Sequence, residues 1–157
     1  MDNTQKRELT GVVVTLWYRA PELLLESKTY GYPVDMWSAG CVFGELFLGT
    51  PLLPGKVEME QVRLIIELLG TPTARTWPDF IRLPFSEKVI EKIPVQPHNR
   101  LCERMKTLGP VGLDFLGSLL AYDPQKRLTV KEALSHPYFR EQPHPKDLSM
   151  MPTFPCN

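Results

Sequence analysis

No run of apolar side chains among the 157 residues approaches the roughly 20 needed to span a bilayer as a helix. Charge of one sign is not in excess either: 18 Lys and Arg stand against 18 Asp and Glu, for a net charge of zero. That balance argues against a nucleic-acid binder working by phosphate neutralisation, and against a membrane-surface binder. Cysteine is scarce. Cys41, Cys102 and Cys156 are an odd number at wide spacing, which is neither a disulfide framework nor a zinc pattern and suits a reducing compartment. His98, His136 and His144 carry no metal spacing and read as loop residues or packing partners. The opening MDNTQKRELT has no apolar signal region, so secretion is not indicated. No internal repeat occurs. What remains is ordinary for one globular domain, with 43% hydrophobic and 23% charged residues. Proline alone is plentiful. Its 16 copies are about twice the usual ~5%, which predicts short elements joined by many ordered loops.

Residues 1–9 are polar and aperiodic, and read as a frayed, disordered terminus. Residues 11–18, GVVVTLWY, are β-branched and aromatic, which favours extended backbone. Pro21 stops that run and opens a short helix over Glu22 to Leu25. Val34 to Leu48 is the longest apolar stretch, and its apolar residues cover every face of a helix. Such a helix needs walls on all sides. Asp35 sits in its first turn, where unpaired N–H groups favour negative charge, and Gly49 is its stop. Glu58 to Leu69 predicts a second helix with a stripe at 59, 62, 65, 66 and 69, closed by Gly70 and Pro72. Thr71 to Gly109 has little periodicity and reads as an irregular excursion, packed through Trp77, Phe80 and Phe85. Val111 to Tyr122 predicts a third helix, ended by Asp123-Pro124. Thr129 and Glu132 form a capping box before a short helix over 130–136, stopped by Pro137. The tail from Pro143 holds four prolines and reads as extended.

Four short motifs follow one another in order. They are Ala20-Pro21-Glu22, Asp35-Met36-Trp37-Ser38-Ala39-Gly40, Asp123-Pro124-Gln125-Lys126-Arg127 and His136-Pro137-Tyr138-Phe139. The first resembles the A-P-E that closes the activation segment of protein kinases. The others resemble that family's D-x-W-S-x-G, its late D-P-x-x-R and its closing H-P-[YFW]-F. Any one match is weak, but four in order over some 120 residues are not. The chain therefore resembles the C-terminal lobe of a eukaryotic protein kinase. VVTLWYRAPELLL, the PLLPG loop and the LGTP at Leu69 to Pro72 are similar to the cyclin-dependent kinases. The tail is similar to the branch of cyclin-dependent kinase ten and the PITSLRE kinases.

The resemblance implies a mainly α-helical large lobe, with the small N-terminal lobe and catalytic loop absent. It implies a disordered segment over 1–9, a partial kinase domain over 10–139 and a proline-rich tail over 140–157. Thr10 lies near the family's activating phosphosite, where a phosphate would order the loop through arginines; otherwise it is an exposed loop threonine. Val14, Thr15, Trp17 and Arg19 resemble the substrate platform. There the arginine takes the valine carbonyl, so a substrate N–H finds no acceptor, and proline has none to offer. Without the resemblance, Arg19 is a solvated charge, Thr15 a strand threonine, and Trp17, Trp37 and Trp77 are core. Glu22 and Arg127 resemble a buried structural ion pair. Asp35 resembles the aspartate that holds the catalytic loop, or is simply a helix-start charge. Cys41, inside the apolar helix, is expected to be an inert thiol.

The catalytic signatures of a kinase do not occur. No two glycines stand in a G-x-G, and there is no strand lysine motif, H-R-D or D-F-G. Asp79-Phe80-Ile81 and Asp114-Phe115-Leu116 fail at the third position and lie after A-P-E. No catalytic residue and no metal ligand is therefore assigned. The resemblance implies an intact Ser/Thr kinase that uses ATP and magnesium, pairs with a cyclin, acts on Ser/Thr-Pro protein sites and works in the nucleus or cytoplasm. The chain alone is expected to be inactive and to bind neither ATP nor magnesium. The other reading is a non-catalytic binding product that keeps the platform and competes for substrates or partners. The helix that packs on 34–48 in such kinases is also missing, so one side of it is expected to be bare.

Overall fold

The computed structural model describes residues 15–144 and 146–150. Among them the only regular elements are helices: α1 (Pro21–Leu24), α2 (Pro33–Leu48), α3 (Glu58–Leu69), α4 (Ser86–Lys92), α5 (Leu101–Arg104), α6 (Pro110–Leu119) and α7 (Val130–Leu134), with 3-10 turns at Phe80–Arg82, Pro137–Arg140 and Leu148–Met150. Proline opens α1, α2 and α6, where its missing N–H costs nothing. Helix α2 ends at Gly49, whose φ of 68° lies in the left-handed region.

Helix α2 is the post of the fold. Trp37 and Cys41 face a core that gathers Leu24 and Leu25 of the α1 turn, Leu53, Ile65 and Ile66 of α3, Met105, and Leu116 and Leu120 from the α6 region. Close approach to α6 is possible because residue 40 is glycine. A Cβ there would stand 2.9 Å from both Leu119 Cβ and Leu120 Cδ2. A second, smaller cluster joins Met36, Phe115, Leu119 and Ala133, with Phe43 and Tyr138 packed against it. Phe115 and Tyr138 stack at 5.4 Å with planes 2° apart, and Phe43 meets both rings edge-on. The His-Pro-Tyr-Phe motif thus packs its rings against Phe115 of α6 and Phe43 of α2. His136 Nε2 lies 3.3 Å from Asp114 Oδ2, and its Nδ1 accepts from the Tyr138 N–H.

Several expectations need correction. Of the stretch 11–18 expected to be extended, residues 11–14 lie outside the described residues, and 15–20 form a turn closed by the Arg19 N–H on the Leu16 carbonyl at 3.0 Å. Bonds from Ser38 and Gln61 to the Tyr18 and Trp17 carbonyls hold the turn, and composition does not name them. Helix α2, by contrast, is bare on one side as expected: Val42, Leu46 and Phe47 are exposed, Leu46 by 77%. The excursion over 71–109 is more regular than its sequence suggests, since it holds α4 and α5. Both are too short to show a clear period. Helix α6 stops at Leu119, not at Tyr122. The chain leaves the helix so that Tyr122 turns inward, where its hydroxyl donates to the Gly70 carbonyl at 2.7 Å. Helix α7 likewise ends at Leu134, two residues early. In the tail, Leu148–Met150 makes one 3-10 turn in a stretch expected to be extended.

Candidate functional site

The segment before α1 is tied down at several points. The Trp17 indole N–H donates to the Gly55 carbonyl at 3.1 Å. The Gln61 amide donates to the Trp17 carbonyl at 3.3 Å, and its oxygen accepts from the Gly55 N–H at 2.9 Å. The Ser38 hydroxyl, one turn into α2, reaches the Tyr18 carbonyl at 2.8 Å. The Tyr18 hydroxyl donates to Glu45 of α2 at 2.7 Å, and Arg19 pairs with Glu58 in the first turn of α3 at 2.8 Å. Hydrogen bonding to the Glu45 carboxylate, with some desolvation, raises the Tyr18 phenol above its ordinary 10.0. These bonds bring the Trp-Tyr-Arg run, the PLLPG loop and the start of α3 into one surface.

The loop can approach this closely because residue 55 has no side chain. A Cβ on Gly55 would lie 2.8 Å from the backbone N and Cα of Gln61. Gln61 itself is wholly buried. A buried amide is tolerated when both its ends are paired, as they are here.

A few residues further on, Glu22 of α1 pairs with Arg127. Arg127 Nη1 lies 2.8 Å from Glu22 Oε1, and Nη2 lies 3.0 Å from Oε2. The side chains are 0% and 3% exposed for Arg127 and Glu22. Arg127 also donates to the carbonyls of Pro33 at 2.6 Å and Ala121 at 3.1 Å, and its guanidinium lies 5.3 Å from the Trp37 ring centroid. One cation therefore satisfies the α1 carboxylate and two loose carbonyl ends, which is the geometry a buried charge needs.

Trp17 and Arg19 thus share one bonded surface, Glu22 and Arg127 pair with each other, and Thr15 is exposed. Thr10 and Val14 lie outside the described residues. Asp35 is exposed in the first turn of α2, and its carboxylate makes no hydrogen bond among the described residues. Trp37 and Trp77 are core, whereas Trp17 is half-buried and bonded. Cys41 is buried, and desolvation pushes its thiol up to about 12. Sequence reasoning missed Gly55, Glu58 and Gln61. The signal for Gln61 was present: it lies four residues before Ile65, so it shares the buried face of α3 and needs internal partners.

A fold of packed helices around a tryptophan-bearing post, with the segment before α1 bonded to α2 and α3, defines a class when set beside known proteins. The description "Protein kinase domain" matches residues 1–139, and the chain belongs to the protein kinase family. It is similar to the probable cyclin-dependent kinase 10 of Dictyostelium discoideum, 47% identical over 147 residues that make up 94% of this chain and 40% of that protein. Human cyclin-dependent kinase 11B is 47% identical over 148 residues, 94% of this chain and 18% of the relative. Among solved structures, that of the yeast RNA Pol II CTD kinase CTDK-1 complex superposes with a TM-score of 0.80 at 39% identity, covering 85% of this chain and 45% of the other. The chain is a partial kinase domain, homologous to serine/threonine kinases of the cyclin-dependent type, and its mainly helical fold is that of their large lobe. It spans well under half the length of these relatives.

Proposed function

We propose that this chain is the substrate-gripping portion of a cyclin-dependent-type kinase, and that the whole enzyme moves the γ-phosphoryl group of ATP to Ser/Thr-Pro protein sites. The observation that carries this reading is the clamping of Trp17, Tyr18 and Arg19 onto α2 and α3. A peptide platform works by presenting a fixed backbone, and a fixed backbone needs internal anchors. Arg19 is part of that surface, and Thr15 edges it.

ATP and magnesium belong to the whole enzyme. Among the described residues no three His, Cys, Asp or Glu side chains gather as a metal-ligand set. Phosphoryl transfer depends on positioned charge around the transferred group, and the sequence carries none of the motifs that supply it. A cyclin is the expected partner of the whole enzyme, and nucleus or cytoplasm its expected place.

The test compares two proteins. The 157-residue chain, purified, should label a Ser-Pro peptide from ATP at no more than background. A longer polypeptide carrying this sequence should label it, and should label the matching Ser-Ala peptide much less. Transfer by the short chain, or equal labelling of both peptides by the long one, would overturn the reading. Capture of Ser-Pro proteins by the short chain, lost on Arg19→Ala, would favour a non-catalytic binding product instead.

A further inference from the structure

Gln61 is the one fully buried amide on α3, and both of its polar atoms are spent on the candidate platform. Its oxygen accepts from Gly55 and its nitrogen donates to the Trp17 carbonyl. The Trp17 indole returns a bond to Gly55, so three residues from three separate segments close a ring of hydrogen bonds. We infer that Gln61 is a positioning residue for substrate: through Trp17 and Gly55 it sets where residues 15–19 meet a peptide. This rests on the platform reading above.

The chemistry of the side chain carries the inference. The ring of bonds needs a donor and an acceptor at one end of a short arm, and an amide supplies both. A carboxylate of the same shape would turn lone pairs toward the Trp17 carbonyl. A thioether of similar length would leave the Gly55 N–H and the Trp17 carbonyl unpaired in a buried place. Nor can the loop move closer to make up the loss, because Gly55 already lies against the backbone of Gln61. Among the described residues only Gln61 links the Trp17 backbone to α3. The other tie to that helix, from Arg19 to Glu58, is a partly exposed ion pair, which contributes little positional stiffness.

The experiment uses the full-length kinase that carries this lobe, in its active complex. Gln61→Glu and Gln61→Met are compared with the parent on paired Ser-Pro and Ser-Ala peptides, and kcat and KM are measured for each. The ratio of the two kcat/KM values should fall about fivefold to tenfold, the scale of one buried hydrogen bond. Peptide KM should rise while KM for ATP stays put. A purely structural role would lower the active fraction, cut both kcat values equally and leave the ratio unchanged, and that result would overturn the inference. If the Gln61 variants do not accumulate, Gly55→Ala decides. Its methyl would collide with Gln61 Oε1 and so displaces the amide while leaving Trp17 unaltered; the same fall in ratio supports the inference and an unchanged ratio overturns it. A parent enzyme with no preference for proline would sink the platform reading itself, and this inference with it.

Discussion

At the scale of single residues, burial decides which groups matter. Arg127 and Glu22 are both charged and both shut away from water, 105 positions apart in sequence. Taking ions out of water is costly, and the pair persists because two parallel hydrogen bonds and two backbone carbonyls replace the lost solvent. Removing one partner strands the other. Glu22→Gln should cost about 3–5 kcal/mol, read as a lowered thermal midpoint of the whole kinase. A paired replacement by Met and Leu at the two positions should cost less. A single-variant loss below about 1 kcal/mol would show the site to be wet. Arg19 and Glu58 make the same chemical contact nearer the surface, where water and salt screen the charges, and such exposed pairs contribute about 0–1 kcal/mol. The motif residues at 22 and 127 could be picked out by their resemblance. Gln61 could not be weighed that way, because its importance lies in two partners that no local pattern names.

At the scale of elements, helix ends follow local rules well. Thr129 accepts from the Glu132 N–H, and Glu132 accepts from the Thr129 N–H at 2.8 Å, so the capping box read from the sequence closes as expected. Hydrogen bonds from the Thr129 backbone and then its hydroxyl hold the Glu132 carboxyl below its ordinary 4.5. A depressed carboxyl stabilises the folded form above its unfolded value, and that contribution is lost as pH falls through the folded value. Amide exchange at Thr129 should therefore stay slow from neutral pH to about 4.5 and quicken, beyond its intrinsic trend, in more acid solution. Glu132→Gln should remove that acid step. A step unchanged in the variant would place its origin elsewhere. The stops of α2 and α3 were legible for the same reason, since Gly49 and Gly70 act on their own neighbours. The turn at 15–20 was not legible. Its backbone is held by Ser38 and Gln61 and its indole by Gly55, and β-branched composition says nothing of them.

At the scale of the whole molecule, the unfinished surface of α2 dominates. Val42, Leu46 and Phe47 form an exposed apolar strip on the helix that the core is built around. A few hundred Å² of such surface, at about 25 cal/mol per Å², forgoes several kcal/mol of burial, which is comparable to the stability of a whole domain. The isolated chain should fold partially or associate, with a broad thermal transition. Leu46→Lys should raise its soluble yield, since the side chain already points to water. A sharp monomeric melt of the parent chain, or no gain from the lysine, would contradict this. The sequence alone determined that the chain is helical, where α2 and α3 run, and which four motifs place it among kinases. Those features depend on neighbours a few residues away. The tertiary structure alone decided that Trp17 is an anchor as well as a packing residue, that a glutamine and a glycine from separate segments lock the platform, and which side chains of the central helix stay open to water. Each of these depends on groups brought together from across the chain, where distance in sequence carries no record of distance in space.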